Sequence, residues 1–188
     1  MQKGKNISET DIIKGCIKGK IKYQEMLYRK YYAYGMSITL RYTKNREDAL
    51  EVLNDGFLKV FDNIKHFDRN KIFKTWFRQI LINTALDLFR KNKRMILTEN
   101  IDKLEYEYFE EKNIDKLEAE DLLNILKLIP EHYSVIFNLY EIEGYKHNEI
   151  AEMLNIPEST SRANLSRAKK LLRQIFKKQH KKTYAERI

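Results

Sequence analysis

The residues best suited to chemistry lie in a basic segment near the end of the chain, STSRANLSRAKKLLRQIFKK. Read as a helix, it turns Leu165, Ala168 and Leu172 to one side and leaves Thr160, Arg162, Ala163, Asn164, Ser166, Arg167 and Lys170 for the rest. A guanidinium can give two parallel hydrogen bonds to guanine O6 and N7. Small neighbours let a helix enter a groove about 12 Å wide. The chemistry implied is non-covalent reading of base edges. An amphipathic helix with a solvated basic face would show the same pattern.

A second set lies in the first half. Gln79, Asn83, Asp87 and Arg90 step along one side of a helical pattern, flanked by Lys71, Lys74 and Arg78 and ending in RKNKR. The stretch before it offers an aromatic and polar groups: Phe67, Asp68, Arg69 and Asn70. Cations that track a displaced strand, beside a loop that receives an unstacked base, would bind melted nucleic acid. Cations at a helix C-terminus also complement its dipole, and Asp87–Arg90 could be a simple i,i+3 pair.

The third set, Glu51, Asn54, Asp55, Lys59 and Asp62, forms a polar row opposite an apolar one. Its carboxylates are spread along a face rather than gathered for a metal, and no nucleophile stands beside a base. Single Cys16 excludes an internal disulfide, and the four histidines show no ligand spacing. These features predict no metal, no cofactor and no enzymatic activity.

Elements to position these sets are legible in the periodicity. Ser8 and Asp11 predict a capped short helix. Leu27, Tyr31, Tyr34, Ile38 and Tyr42 recur along one face of a helix over 21–43. Asn45 caps a third helix with Ala49, Val52, Leu53, Gly56, Phe57, Val60, Phe61 and Ile64 inward. A loop follows at 66–71, then a helix over 72–93 burying Phe73, Trp76, Phe77, Ile80, Leu81 and Leu88. In the second half, a helix after Pro130 runs to Gly144. HNEIAEML then makes a short helix, Asn155-Ile156-Pro157 a tight turn, and the basic segment the last helix. Asn155 sits where a left-handed residue is needed. Helix, three-residue turn and basic helix make a helix-turn-helix layout.

Six Gly and two Pro in 188 residues favour long helices over a many-turned sheet. The net charge of +9 points to a polyanionic partner, nucleic acid before an anionic membrane surface. Charge divides the chain: +10 over residues 1–93, −6 over 94–121 and +5 over 122–188. The expected architecture is all-α, with an N-terminal helical bundle over 1–94, an acidic linker over 95–119 and a helix-turn-helix domain over 120–180. No export signal or membrane-spanning run is read, so the expected location is the cytoplasm.

At motif level, YRKYYAYGMSITLRYTKNREDALEVLNDGFLKVFDNIKHF followed by FKTWFRQILINTALDLFRKNKR resembles region 2 of bacterial sigma factors. LLNILKLIPEHYSVIFNLYEIEGYKHNEIAEMLNIPESTSRANLSRAKKLL resembles their region 4. The two in this order, with no region between them, resemble the extracytoplasmic-function (ECF) group. The resemblance implies docking on the clamp coiled coil and flap of core RNA polymerase. Promoter DNA would be bound as duplex at the minus-thirty-five element and melted at the minus-ten element, and an anti-sigma factor is an implied inhibitor. By position, it assigns polymerase contact to Asp48, Glu51, Asn54, Asp55 and Lys59. Minus-ten contact falls on Phe67, Asp68, Arg69, Asn70, Lys74, Arg78, Asn83 and Arg90, with Trp76 as a core anchor. Several positions depart from the family pattern: Asn54 for Gln, Asp55 for Glu, Gly56 for an apolar residue, Phe77 for Leu, and Ser161 for a buried Val or Ile. Those changes predict shortened contacts or small gaps. A helix-turn-helix regulator that never docks on polymerase is the alternative, and it leaves the 45–93 pair unexplained.

Overall fold

The computed structural model describes residues 7–97 and 124–185, with side chains described at 7–91 and 124–177. The described elements are helical throughout, and they belong to two compact units, Met1–Phe89 and Arg90–Ile188.

In the first unit, helix α1 (Glu9–Ile17) is opened by Ser8, which accepts the Asp11 backbone N–H at 3.1 Å and donates to its carboxylate at 2.6 Å. Gly19, at φ +68°, turns the chain into α2 (Ile21–Thr39). This helix stops short of the expected Thr43. Arg41 and Tyr42 N–H groups close on carbonyls three residues back, and the Thr43 hydroxyl takes the Thr39 carbonyl at 3.0 Å. Tightening of the last turn satisfies carbonyls that a continuing helix would have used. Leu27, Tyr31 and Ile38 are buried as read, Tyr34 only half so, and Gly35, Met36 and Thr39 join them.

Helix α3 (Arg46–Asn63) buries the row read from its sequence, with Phe61 half-buried. A 3-10 turn at Ile64–His66 and a loop lead to α4 (Phe73–Leu97). Phe57, Phe73 and Phe77 are fully buried at the centre, each ring within 6 Å of another. Burying such a side chain contributes about 1.5–3 kcal/mol. The α4 stripe needs correction: Trp76, Ile80 and Leu88 are half-buried, while Ile82, Ala85, Leu86 and Phe89 are buried. Phe73 packs on Tyr31 of α2 and Phe77 also on Phe57 of α3, so α4 buries a wide arc between two neighbours. A single-stripe reading cannot place such an arc.

Gly56 leaves no gap. A Cβ there would lie 2.5 Å from Leu81 Cδ2, so the glycine lets Leu81 occupy the space an apolar side chain would fill. Gly35 likewise admits Leu53, whose Cδ1 would stand 2.3 Å from an added Cβ.

In the second unit, a helical turn at 124–127 precedes α5 (Glu131–Phe137), which widens into a π turn at Asn138–Ile142. Gly144, at φ +81°, redirects the chain toward α6 (His147–Leu154). Asn155 adopts φ 52° and ψ 55°, the left-handed conformation expected of it, and α7 (Glu158–Ala185) follows. Leu126, Ile129 and Ala168 form a core over which Tyr133, Phe137, Leu171, Leu172 and Ile175 pack. Helix α4 carries the chain to Leu97; the remainder of the expected acidic connector lies outside the described residues.

Candidate nucleic-acid interfaces and docking face

The exposed surface of α7 is set by what the helix buries. Ser161, Leu165 and Ala168 are buried, which turns Arg162, Ala163, Ser166, Arg167 and Lys170 outward. Thr160 and Asn164 sit half-buried at one edge. Ala163, Ser166 and Lys170 make the middle of the exposed face, with the two arginines on its flanks. Arg162 is engaged by Glu158 one turn earlier, whereas Arg167 and Lys170 form no ion pair with a described residue. Lys169 is half-buried and bonds Glu141 at 2.6 Å. It sits on the flank of α7 that faces the π turn, away from the exposed middle.

Ser161 explains its own departure from an apolar type. Its buried hydroxyl lies 3.0 Å from His147 Nδ1, and the His147 ring stacks on Tyr140 at 4.4 Å between centroids. No gap is left; a polar joint ties the first residue of α6 to α7. Burial holds the His147 imidazole below its usual value of 6.5, and the Arg162 and Lys169 cations add to that against the opposing pull of Glu158. Sequence periodicity could not show this pair, because residues 147 and 161 lie on different helices.

In the first unit the loop at 67–72 presents Asp68, Arg69 and Asn70 to solvent, with the Asp68 carboxylate accepting the Asn70 N–H at 3.0 Å. Phe67 is not presented. It is 7% exposed, 4.9 Å from the Trp76 ring and 5.7 Å from Phe73. Apolar burial outweighs any need to offer the ring, so Phe67 is withdrawn as a direct base contact. It anchors the loop instead, and half-buried Trp76 anchors Phe67. Lys74 holds its ammonium 4.4 Å from the Tyr34 ring centre. Exposed Asn83 accepts from Gln79 at 3.2 Å, and Arg78 is half-buried on the same helix.

Beside this loop lies an open cleft of about 440 Å³ lined by Lys59, Asn63, His66, Trp76, Ile80 and Asn83. An indole wall, an amide and a cation match the face, edge and backbone charge of a nucleotide. Lys59 and His66 are members of this wall that the residue pattern did not assign to it. Arg90, the last of the sequence row, is half-buried and sits about 25 Å along the α4 axis from Phe73, beyond the first unit. The structure therefore does not bring Arg90 to the loop.

On α3 the exposed face is organised in three bands. Glu51, Asp55 and Asp62 run along the middle with Leu58, which is 62% exposed. Asn54 lies toward α2 and accepts the Tyr28 hydroxyl at 3.0 Å. Lys59 lies toward α4 and bonds Asp87 at 3.0 Å. Asp48 is occupied by the cap: its N–H donates to Asn45 at 2.7 Å and its carboxylate accepts from the Asn45 amide at 3.0 Å. Leu58 was missed by the sequence reading, since a lone leucine among charges carries no periodic signal.

Burial pushes the Cys16 thiol up to about 11, so the thiol stays protonated at neutral pH. Among the described residues no cluster of three His, Cys, Asp or Glu could hold a metal, and no helix is long and apolar enough to cross a membrane.

Two all-helical units, the first with a polar α3 face and a cleft, the second a helix-turn-helix, define a class of DNA-reading transcription protein. Comparisons with known proteins narrow it. Residues 27–95 match the model of Sigma-70 region 2 and residues 119–172 that of Sigma-70, region 4. The chain is 30% identical over 136 residues to the RNA polymerase sigma factor SigV of Bacillus subtilis, covering 72% of this chain and 80% of that one. It is 25% identical over 178 residues to the ECF RNA polymerase sigma-E factor of Haemophilus influenzae, covering 88% and 94%. Among solved structures, the sigma factor RpoE of Bartonella quintana, in complex with the anti-sigma factor NepR, has the same fold. The TM-score is 0.50 at 16% identity, over 81% of this chain and 96% of that one. The chain belongs to the sigma-70 family and, within it, to the ECF sigma factors.

Proposed function

We propose that this protein binds core RNA polymerase, recognises promoter DNA through both units and directs transcription initiation as an alternative sigma factor. The observation that carries the reading is the outward row of α7. Arginines flank small residues there, on a helix whose rotation is fixed by a buried opposite side and whose entry is fixed by left-handed Asn155. Such a helix enters the major groove, where Arg167 and Arg162 reach base edges and Lys170 a phosphate.

The first unit supplies the other two functions. The cleft between α3 and α4, walled by Trp76 and Asn83, receives an unstacked base of the melted minus-ten strand. Arg69 of the loop meets its backbone, and Lys74 and Arg78, on the α2 side of α4, meet the strand outside the cleft. The α3 face, with Glu51, Asp55 and Leu58 at its middle, docks on the clamp coiled coil of the polymerase, and the second unit meets the flap. Asp48 contributes by holding the helix start. An exposed leucine ringed by carboxylates suits a partner with an apolar notch and basic rim. The role is non-catalytic: the protein supplies recognition, and polymerase supplies the chemistry. A protein inhibitor covering either the α3 face or the cleft would act as an anti-sigma factor.

The test is run-off transcription with purified core polymerase on templates selected from a random promoter library. Specific initiation dependent on this chain is the expected result. Repression of initiation by another sigma factor, with no transcript of its own, would assign the chain to regulators that do not dock.

A further inference from the structure

The turn between α1 and α2 carries a charged surface that none of these roles uses. Residues 14–22, KGCIKGKIK, hold Lys14, Lys18, Lys20 and Lys22 and no acidic residue. All four lysines are exposed, and none forms an ion pair with a described residue. The acids nearby are already engaged. Glu9 takes Lys30 at 2.9 Å and the Tyr31 hydroxyl at 2.7 Å, Asp11 takes Ser8, and Glu25 takes Arg29 at 2.6 Å. Gly15 and Cys16 are buried on the inner side of this segment, whereas Gly19 at φ +68° and 80% exposed Ile21 stand in solvent at its tip.

Its location follows from helix directions. Tyr31 of α2 meets Phe73 of α4, and Gly35 meets Phe77, so α2 and α4 run parallel. The α4 start, and the loop 67–72 that precedes it, are therefore level with Tyr31. Ile21 begins α2 ten residues earlier, about 15 Å farther along the same axis at 1.5 Å per residue. The turn thus projects from the end of the unit that carries the loop, and α1 packs on the 3-10 turn Ile64–His66. Lys65 of that 3-10 turn and Arg69 and Lys71 of the loop, all exposed and without ion pairs to described residues, lie at the same end. Seven cations form a rim along one end of the bundle.

We propose that Lys14, Lys18, Lys20 and Lys22 form a second nucleic-acid contact in this unit, gripping phosphates of the promoter DNA that borders the segment held at loop 67–72. This extends the promoter reading of the first unit and rests on it. A partner must supply negative charge over about 15 Å beyond the loop. DNA already held at the loop has phosphates at that reach, a placement a free acidic protein lacks. Lysine is the residue for this task, because it meets phosphate as a point charge and reads no sequence.

The experiment uses holoenzyme made from the full chain and core polymerase. A variant with Lys14→Gln, Lys18→Gln, Lys20→Gln and Lys22→Gln is compared with its four-arginine counterpart. Promoter binding is measured across salt on double-stranded and on pre-melted templates. Each lost phosphate contact lowers the slope of log affinity against log salt by about 0.7–0.9. The glutamine variant is expected to lose about two to four units of slope and at least about tenfold in affinity. The loss should be equal on templates with an altered minus-ten sequence, and the arginine variant should behave as parent. Core co-purification and helical content should not change. An unchanged slope overturns the proposal, whether the variant behaves as parent throughout, loses core polymerase, or loses only retention on phosphatidylglycerol vesicles. Permanganate reactivity of an Asn83→Ala holoenzyme, measured alongside, reports on the cleft by itself. If it equals parent while the lysine slope changes, the cleft reading fails and the lysine contact stands.

Discussion

Arg167 and Lys170 both point outward from α7, and replacing each by alanine should give two different signatures. Neither has an ion pair with a described residue to give up on binding, so the whole of any new contact appears as affinity. A bidentate arginine on guanine is worth about 1–3 kcal/mol of discrimination, or about 5- to 150-fold between the preferred base and the others. Arg167→Ala should therefore collapse preference at one or two minus-thirty-five positions and leave the remaining positions unchanged. Arg162→Ala should show a weaker version. Its guanidinium must first leave Glu158, and with the two side chains 65% and 44% exposed that pair is worth only about 0.3–0.5 kcal/mol. Lys170→Ala should weaken every sequence alike and lower the salt slope by about 0.9. Lys169→Ala, whose ammonium is tied to Glu141, should change the slope less. The assay is holoenzyme binding to a panel of single-base minus-thirty-five variants at two salt concentrations. Uniform loss across the panel for both arginine variants would mean that α7 grips the backbone and that base reading lies elsewhere.

Four further outcomes are expected. Glu51→Lys with Asp55→Lys should cut core-polymerase binding by about tenfold or more, since like charges set across an interface cost several kcal/mol. Circular dichroism should not change, because neither residue caps the helix; retained co-purification would remove the α3 face from the docking surface. Asn83→Ala should reduce permanganate reactivity of promoter thymines more than closed-complex affinity, and equal reactivity with equal transcript yield would count against the cleft. Gly56→Val should lower stability by about 1–3 kcal/mol, because a Cβ must displace Leu81; an unchanged urea midpoint would refute the close approach. For His147 the folded state lowers the imidazole value, so the unfolded chain takes its proton first. Stability is complete above about 6.5 and is lost as pH falls below it toward the folded value. His147→Gln should flatten the thermal midpoint between pH 7.5 and 6, and an unaltered profile would show that this ring is not responsible.

By itself, the sequence determined whatever depends on local periodicity and capping chemistry. The α3 buried row, the Asn45 and Ser8 caps, left-handed Asn155 and the outward residues of α7 all follow from spacing of 3.6 and from which side chains accept backbone N–H groups. Tertiary structure decided the rest, because it depends on what a second helix brings near. Phe67 looks like a free aromatic in a polar loop until Phe73 and Trp76 close over it. Gly56 and Ser161 look like gaps until Leu81 and His147 fill them from other helices. Lys59 reads as part of a polymerase-facing row, yet Asp87, 28 residues later, draws it to the edge of the cleft. The lysines of the α1–α2 turn are plain in the sequence as charge. Only the parallel run of α2 and α4 sets them at the loop's end of the bundle, since direction between helices is fixed by core packing and not by any one helix's own pattern.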